Sequence, residues 1–138
     1  MIVERIALLL LFVAVTGALY LAWRCCLHLR FNSLAKSDAP EYVRRVITGG
    51  APAILYFTTA ECAQCRFQQG PVLDKISEQA RIAVYTIDAV AQRELASFYG
   101  VMTVPSTVVL SPDRQPIAIN HGLATAQQID RQLAHLDR

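Results

Sequence analysis

The sequence predicts an α/β domain, a central mixed β-sheet flanked by helices, preceded by one N-terminal transmembrane helix. Three observations carry this. Short apolar runs of strand length alternate with helical patterns through residues 40–138, the mark of strand–helix–strand units with parallel strands. The last two such runs, STVVL and PIAIN, are separated only by SPDRQ, which gives a hairpin and an antiparallel edge. Finally, IALLLLFVAVTGALYLAW, from Ile6 to Trp23, carries no charge and is near the lower end of what spans a bilayer as a helix.

Composition narrows the function classes. A chain of 138 residues is long enough for one domain with its own core and needs no disulfides to compensate for small size. Four cysteines, clustered as Cys25-Cys26 and Cys62/Cys65, are too few for a disulfide-rich secreted scaffold. The formal charge is only +2, acids and bases are interspersed, and no basic block is interleaved with aromatics, which argues against nucleic acid as a partner. The 54% hydrophobic content is high for a soluble domain, and the N-terminal segment accounts for much of the excess.

Residues 1–30 read as the anchor with its flanks. A cleaved signal peptide would have a shorter apolar region and a small-x-small site after it, whereas this run continues straight into WRCCLHLR. Trp23 and Arg24 before Cys25 also argue against a lipid-modified cysteine. Tyr20 and Trp23 suit the headgroup level. Downstream cations Arg24, Arg30 and Lys36 outnumber Arg5 and the α-amino group upstream, so the charge bias places the following domain on the cytoplasmic side of a plasma-membrane, single-pass protein. Cys25-Cys26 reads as two small apolar residues at a helix end; acylation or an intermolecular disulfide is the sharper alternative.

Residues 31–39 read as a polar linker, and 40–138 as the folded domain. Asp38 is expected to cap a helix, with Pro40 in its first turn, and Gly49-Gly50 to stop that helix. AILYF, residues 53–57, reads as a strand buried on both faces. A helix follows from about Cys62 to Ala80, kinked at Gly70-Pro71 because Pro71 offers no N–H to the carbonyl of Phe67. Then come a strand over 82–88, a helix over 91–100 ending at Gly100, the hairpin of 106–110 and 116–120, and an amphipathic helix after Gly122 with Ile129, Leu133 and Leu136 on one face.

At TTAECAQCRF, residues 58–67, two cysteines stand just past an apolar strand. A metal clip, a structural disulfide and a redox-active dithiol are all compatible with that pair alone. The wider pattern discriminates. Cys62-Ala63-Gln64-Cys65 opens a helix, Val104-Pro105-Ser106 precedes a hairpin, and Gly122 precedes the last helix. This arrangement resembles the thioredoxin family over residues 40–137, so a thioredoxin-like fold is expected. The resemblance also implies that Pro105 follows a cis peptide bond and packs beside the dithiol.

The chemistry has its own logic. Cysteines at i and i+3 on a helix share a face and can bridge. The first meets unpaired N–H groups and the helix dipole, which favour a thiolate. Cys62 is therefore the expected nucleophile, and Cys65, one turn in and less exposed, the resolving thiol. Lacking an N–H, Pro105 leaves the backbone of Val104 to pair with an extended substrate, so Val104 and Pro105 are assigned to substrate contact, with Glu61 beside them.

The tuning departs from the family pattern. Glu61 replaces the usual Trp before the first cysteine, and its charge should raise the thiol pKa; Arg66 is placed to offset it. Tyr56 stands where the family often buries an Asp that moves the resolving thiol's proton, and Val84 replaces the accompanying lysine. A tyrosine is a poor base at neutral pH, so resolution is expected to be slow or to rely on water. The helix also carries one residue more than usual between the dithiol and its proline.

A structural zinc site would need two further ligands from Cys25, Cys26, His28 and His121; the first three lie at the bilayer edge, and His121 reads as a turn residue. The expected activity is dithiol–disulfide exchange with protein disulfides, without a bound cofactor. Electrons would come from thioredoxin reductase or another dithiol protein. A tethered binding or assembly module, for a metal or a redox-complex partner, is the competing reading.

Overall fold

The computed structural model describes residues 2–36, 38–47 and 50–136, in two compact units, Met1–Ser33 and Leu34–Arg138. The first unit is a single helix, α1, Ile2–Lys36, which itself runs on three residues past the division. Its stretch Glu4–Leu29, 26 residues, is long and apolar enough to cross a membrane; at 1.5 Å per residue it reaches about 39 Å against a hydrocarbon core of about 30 Å. Thr16 Oγ1 donates to the Phe12 carbonyl at 2.6 Å, so the hydroxyl in the middle of the apolar run is satisfied within the helix. The polar stretch expected as a linker is helical up to Lys36.

The second unit is a four-stranded sheet in the order β2-β1-β3-β4. Its strands are β1, Ala53–Thr58; β2, Ala83–Asp88; β3, Ser106–Leu110; and β4, Pro116–His121. β1 pairs parallel with β2 and antiparallel with β3, and β3 pairs antiparallel with β4. The helices are α2, Glu41–Val46; α3, Gly70–Ala80; α4, Arg93–Phe98; and α5, Ala126–Leu133. The alternation of strand side chains splits the core. Leu55, Phe57, Val108 and Leu110 join Val43 of α2 and Leu95 of α4 on one face. Ile54, Tyr56 and Val109 join Leu73 and Ile76 of α3 and Ile129 of α5 on the other.

Several local expectations change. Asp38 caps nothing: Pro40 itself occupies the N-cap, extended at φ −50°, ψ 149°, with no side-chain cap. Gly49 lies outside the described residues, while Gly50 adopts φ 103°. α4 starts later than the pattern suggests, because Asp88 Oδ1 accepts from the N–H groups of Val90 and Ala91 at 2.8 and 3.1 Å and holds them in a turn. It ends at Gly100, φ 67°, whose N–H bonds Ser97 while that of Val101 bonds Ala96. That is a Schellman cap, for which a left-handed glycine is the favoured residue. His121 is the last residue of β4 rather than a turn residue.

The largest departure is at the dithiol helix. In place of a kink at Gly70-Pro71, residues Cys65–Gln69 form a π turn that runs directly into α3. The Gly70 N–H reaches back five residues to the Cys65 carbonyl. A π turn takes up one inserted residue without breaking the helix, and this helix carries one such extra residue before Pro71.

Candidate active site

Strand β1 delivers the chain to Thr58, and a tight turn follows in which the Cys62 N–H bonds the Thr59 carbonyl at 3.2 Å. The helix begins at Ala63 and the Cys62 carbonyl accepts its first bond, from the Arg66 N–H at 3.2 Å, so Cys62 sits at the N-terminal end. The two sulfurs are bonded, with Cα atoms 5.2 Å apart. Cys62 is half-buried and Cys65 is 2% exposed. The Cys65 N–H points at Cys62 Sγ at 3.1 Å, a donor that favours negative charge on that sulfur.

Val104–Pro105 is a cis peptide bond. Pro105 is buried, and Val104 is half-buried at the edge of both core clusters, sharing the margin of one with Cys62. The Pro105 carbonyl accepts from the Gly122 N–H at 2.9 Å, which ties the loop before β3 to the loop before α5. Gln69, 1% exposed, secures the second loop: its Oε1 accepts from the Ala124 N–H at 2.7 Å and its Nε2 donates to the Ala124 carbonyl at 3.2 Å. Sequence reasoning missed this residue. The available signal was its place on the apolar stripe between Cys65 and Leu73, where a polar side chain has to find buried partners.

Glu61 is exposed. Arg66 donates to the Ala60 carbonyl at 3.0 Å and lies 5.9 Å from the centre of the Phe67 ring. Tyr56 is buried, and its hydroxyl donates to the Cys65 carbonyl at 2.8 Å. Burial pushes its pKa above the ordinary tyrosine value, the Asp74 carboxylate adds to that, and a hydrogen bond from Thr58 partly opposes it. The tyrosine is thus a neutral donor at neutral pH.

Behind the dithiol lies a cleft of about 340 Å³, open to solvent, between β1, β2 and the helix. Cys62, Cys65, Tyr56, Thr58, Arg66 and Asp74 are among its lining residues. Asp74 and Thr86 carry no sequence signal for this, since only the packing of α3 over β2 turns them toward one space. Among the described residues no group of three or more His, Cys, Asp or Glu side chains is placed to hold a metal ion.

The Thioredoxin family model matches residues 33–135. No curated protein sequence matches the chain. Among solved structures, a single-site mutant of thioredoxin from Halobacterium salinarum aligns with a TM-score of 0.58 and 26% identity, covering 64% of this chain and 77% of that one. Thioredoxin-2, a component of the malaria parasite protein secretion machinery, gives 0.59 and 19%, covering 67% and 90%. Thioredoxin 1 from the thermophilic eubacterium Thermosipho africanus gives 0.53 and 21%, covering 62% and 99%.

Proposed function

Since the chain belongs to the thioredoxin family, we propose that it is a membrane-tethered thiol–disulfide oxidoreductase that reduces protein disulfides, with Cys62 as nucleophile and Cys65 as resolving thiol. The observation that carries the reading is the asymmetry of the pair. One sulfur sits at a helix start with an N–H aimed at it, and the other is buried one turn in. The first is suited to attack, the second to intramolecular release. Val104 and Pro105 offer the adjoining backbone to an extended target, with Glu61 at the rim and Arg66 and Tyr56 tuning the pair.

The apolar α1 supports the anchor, residues 1–30, ahead of a catalytic domain at 40–138. The excess of Arg24, Arg30 and Lys36 over Arg5 supports a cytoplasmic domain at the plasma membrane. There a thioredoxin reductase or another dithiol protein would return the electrons. Full-length protein in detergent, assayed for reduction of a protein disulfide such as insulin, tests the chemistry. Cys62→Ser abolishes turnover, and Cys65→Ser accumulates a mixed disulfide with the target. Turnover that survives Cys62→Ser would sink the reading; partner or metal binding with no thiol exchange would favour a tethered binding module. An impermeant thiol reagent that labels Cys62 in intact cells would overturn the cytoplasmic side.

A further inference from the structure

The dithiol chemistry proposed above, on which this inference rests, needs in its second half a destination for the proton of the resolving thiol. Cys65 must become a thiolate before it can attack, yet it is 2% exposed, and burial disfavours the charged form. Two strands and the helix line the cleft beside it. From β1, Tyr56 presents a hydroxyl already donated to the Cys65 carbonyl. From β2, Val84 and Thr86 line the cleft and do not titrate. From the helix come Cys62, Arg66 and Asp74. Asp74 is solvent-exposed and stands nine residues along the helix from Cys65, about two and a half turns away. The cleft, at about 340 Å³ and open, has room for several waters at about 30 Å³ each.

We propose that the Cys65 thiol gives up its proton to water in this cleft and through it to bulk solvent, with no side chain as resident base, and that the Asp74 carboxylate on the cleft wall holds the proton back. Tyr56 is the positioning residue: its hydroxyl and the Gly70 N–H both fix the Cys65 carbonyl at the π turn. Asp74 disfavours a second negative charge nearby, and Arg66 favours it. The consequence is a mixed disulfide that persists at neutral pH and resolves faster as pH rises.

The steps balance. The Cys62 thiolate attacks one sulfur of a target disulfide; the Cys62–target bond forms, the target S–S bond breaks, and the first target sulfur leaves as a thiolate. Cys65–SH passes its proton to cleft water. The Cys65 thiolate attacks Cys62 Sγ, the Cys62–Cys65 bond forms, and the second target sulfur leaves as a thiolate. Two electrons pass from the cysteine pair to the target disulfide, which is the oxidant.

The test uses reduced full-length protein carrying Cys25→Ser and Cys26→Ser, so that only the Cys62/Cys65 pair can react, in detergent with an aromatic disulfide, 5,5′-dithiobis(2-nitrobenzoate), in stopped flow. One thionitrobenzoate is released on attack by Cys62 and a second on resolution by Cys65. The expected second phase accelerates about tenfold per pH unit between about pH 6 and 8, with no plateau near neutrality. Asp74→Asn speeds the second phase about threefold or more at pH 7 and shifts its profile to lower pH; Asp74→Glu tracks the wild type. Arg66→Gln slows it. A second phase independent of pH over that range, or one that Asp74→Asn slows, overturns the proposal, because Asp74 or another group is then a base. Absence of the first phase in the wild type would instead overturn the nucleophile assignment on which this proposal stands.

Discussion

Gln69 shows how much one buried amide can do at a site that must hold its shape. It gives the Ala124 backbone the two hydrogen bonds that a neighbouring strand would otherwise supply. Gln69→Ala strands a buried N–H and a buried carbonyl, each costing about 1–3 kcal/mol. The expected loss is about 2–4 kcal/mol in the folding of the second unit, read by thermal denaturation of the full-length protein in detergent. A drop in Tm below about 4 °C, the lower bound for 1 kcal/mol in a domain of this size, would contradict the assignment. The cysteine pair itself was legible in the sequence because spacing and a helix start are local properties. Of the side chains around it, Tyr56 was marked by the family pattern, whereas Asp74 and Thr86 were not and reach the same cleft only because two strands and a helix converge.

The dithiol helix is where element-level reasoning was only half right. A proline inside a helical pattern predicts a missing hydrogen bond, and Pro71 does lack its N–H. The chain meets this with the π turn over Cys65–Gln69, after which Pro71 falls in the first turn of α3, where no N–H is needed. Gly70 belongs to the same device, since a Cβ there would come within 3.2 Å of the Cys65 carbonyl. If the turn is a one-residue insertion, deleting exposed Gln68 should close the helix into regular α geometry. The expected variant folds, loses at most about 2 kcal/mol, and keeps thiol exchange; aggregation or loss of the cooperative transition would show that the bulge is required. β3 fell where its β-branched run placed it, because a strand buried on both faces is a continuous apolar run whatever its neighbours.

The second unit buries two tyrosines in its separate half-cores, Tyr56 against α3 and Tyr99 against Phe57 and Phe98. Burial raises the pKa of both above the ordinary 10.0, for Tyr99 far above. A group whose folded pKa is raised contributes stability in full below its unfolded pKa and loses it as pH climbs toward the folded value. Stability should therefore be level through neutrality in this respect and fall from about pH 10 upward. Among the described residues the buried Tyr99 hydroxyl has no hydrogen-bond partner, so Tyr99→Phe should cost no more than about 1 kcal/mol at pH 7 and flatten the alkaline fall. An unchanged alkaline slope in that variant, by denaturant titration of the full-length protein, would refute the account.

The sequence by itself determined the apolar N-terminal helix, the order and type of the elements, the position of the reactive pair and the stop at Gly100. Each follows from short-range physics: hydropathy over one helix length, the period of a strand, the left-handed freedom of glycine. Tertiary structure alone decided what surrounds the pair. The π turn, the Gln69 clamp and the Asp74-lined cleft depend on residues brought together across 55 positions in the case of Gln69 and Ala124. Hydrogen-bond satisfaction and local charge are settled by what lies across the fold, and a pattern read along the chain carries no distance in that direction.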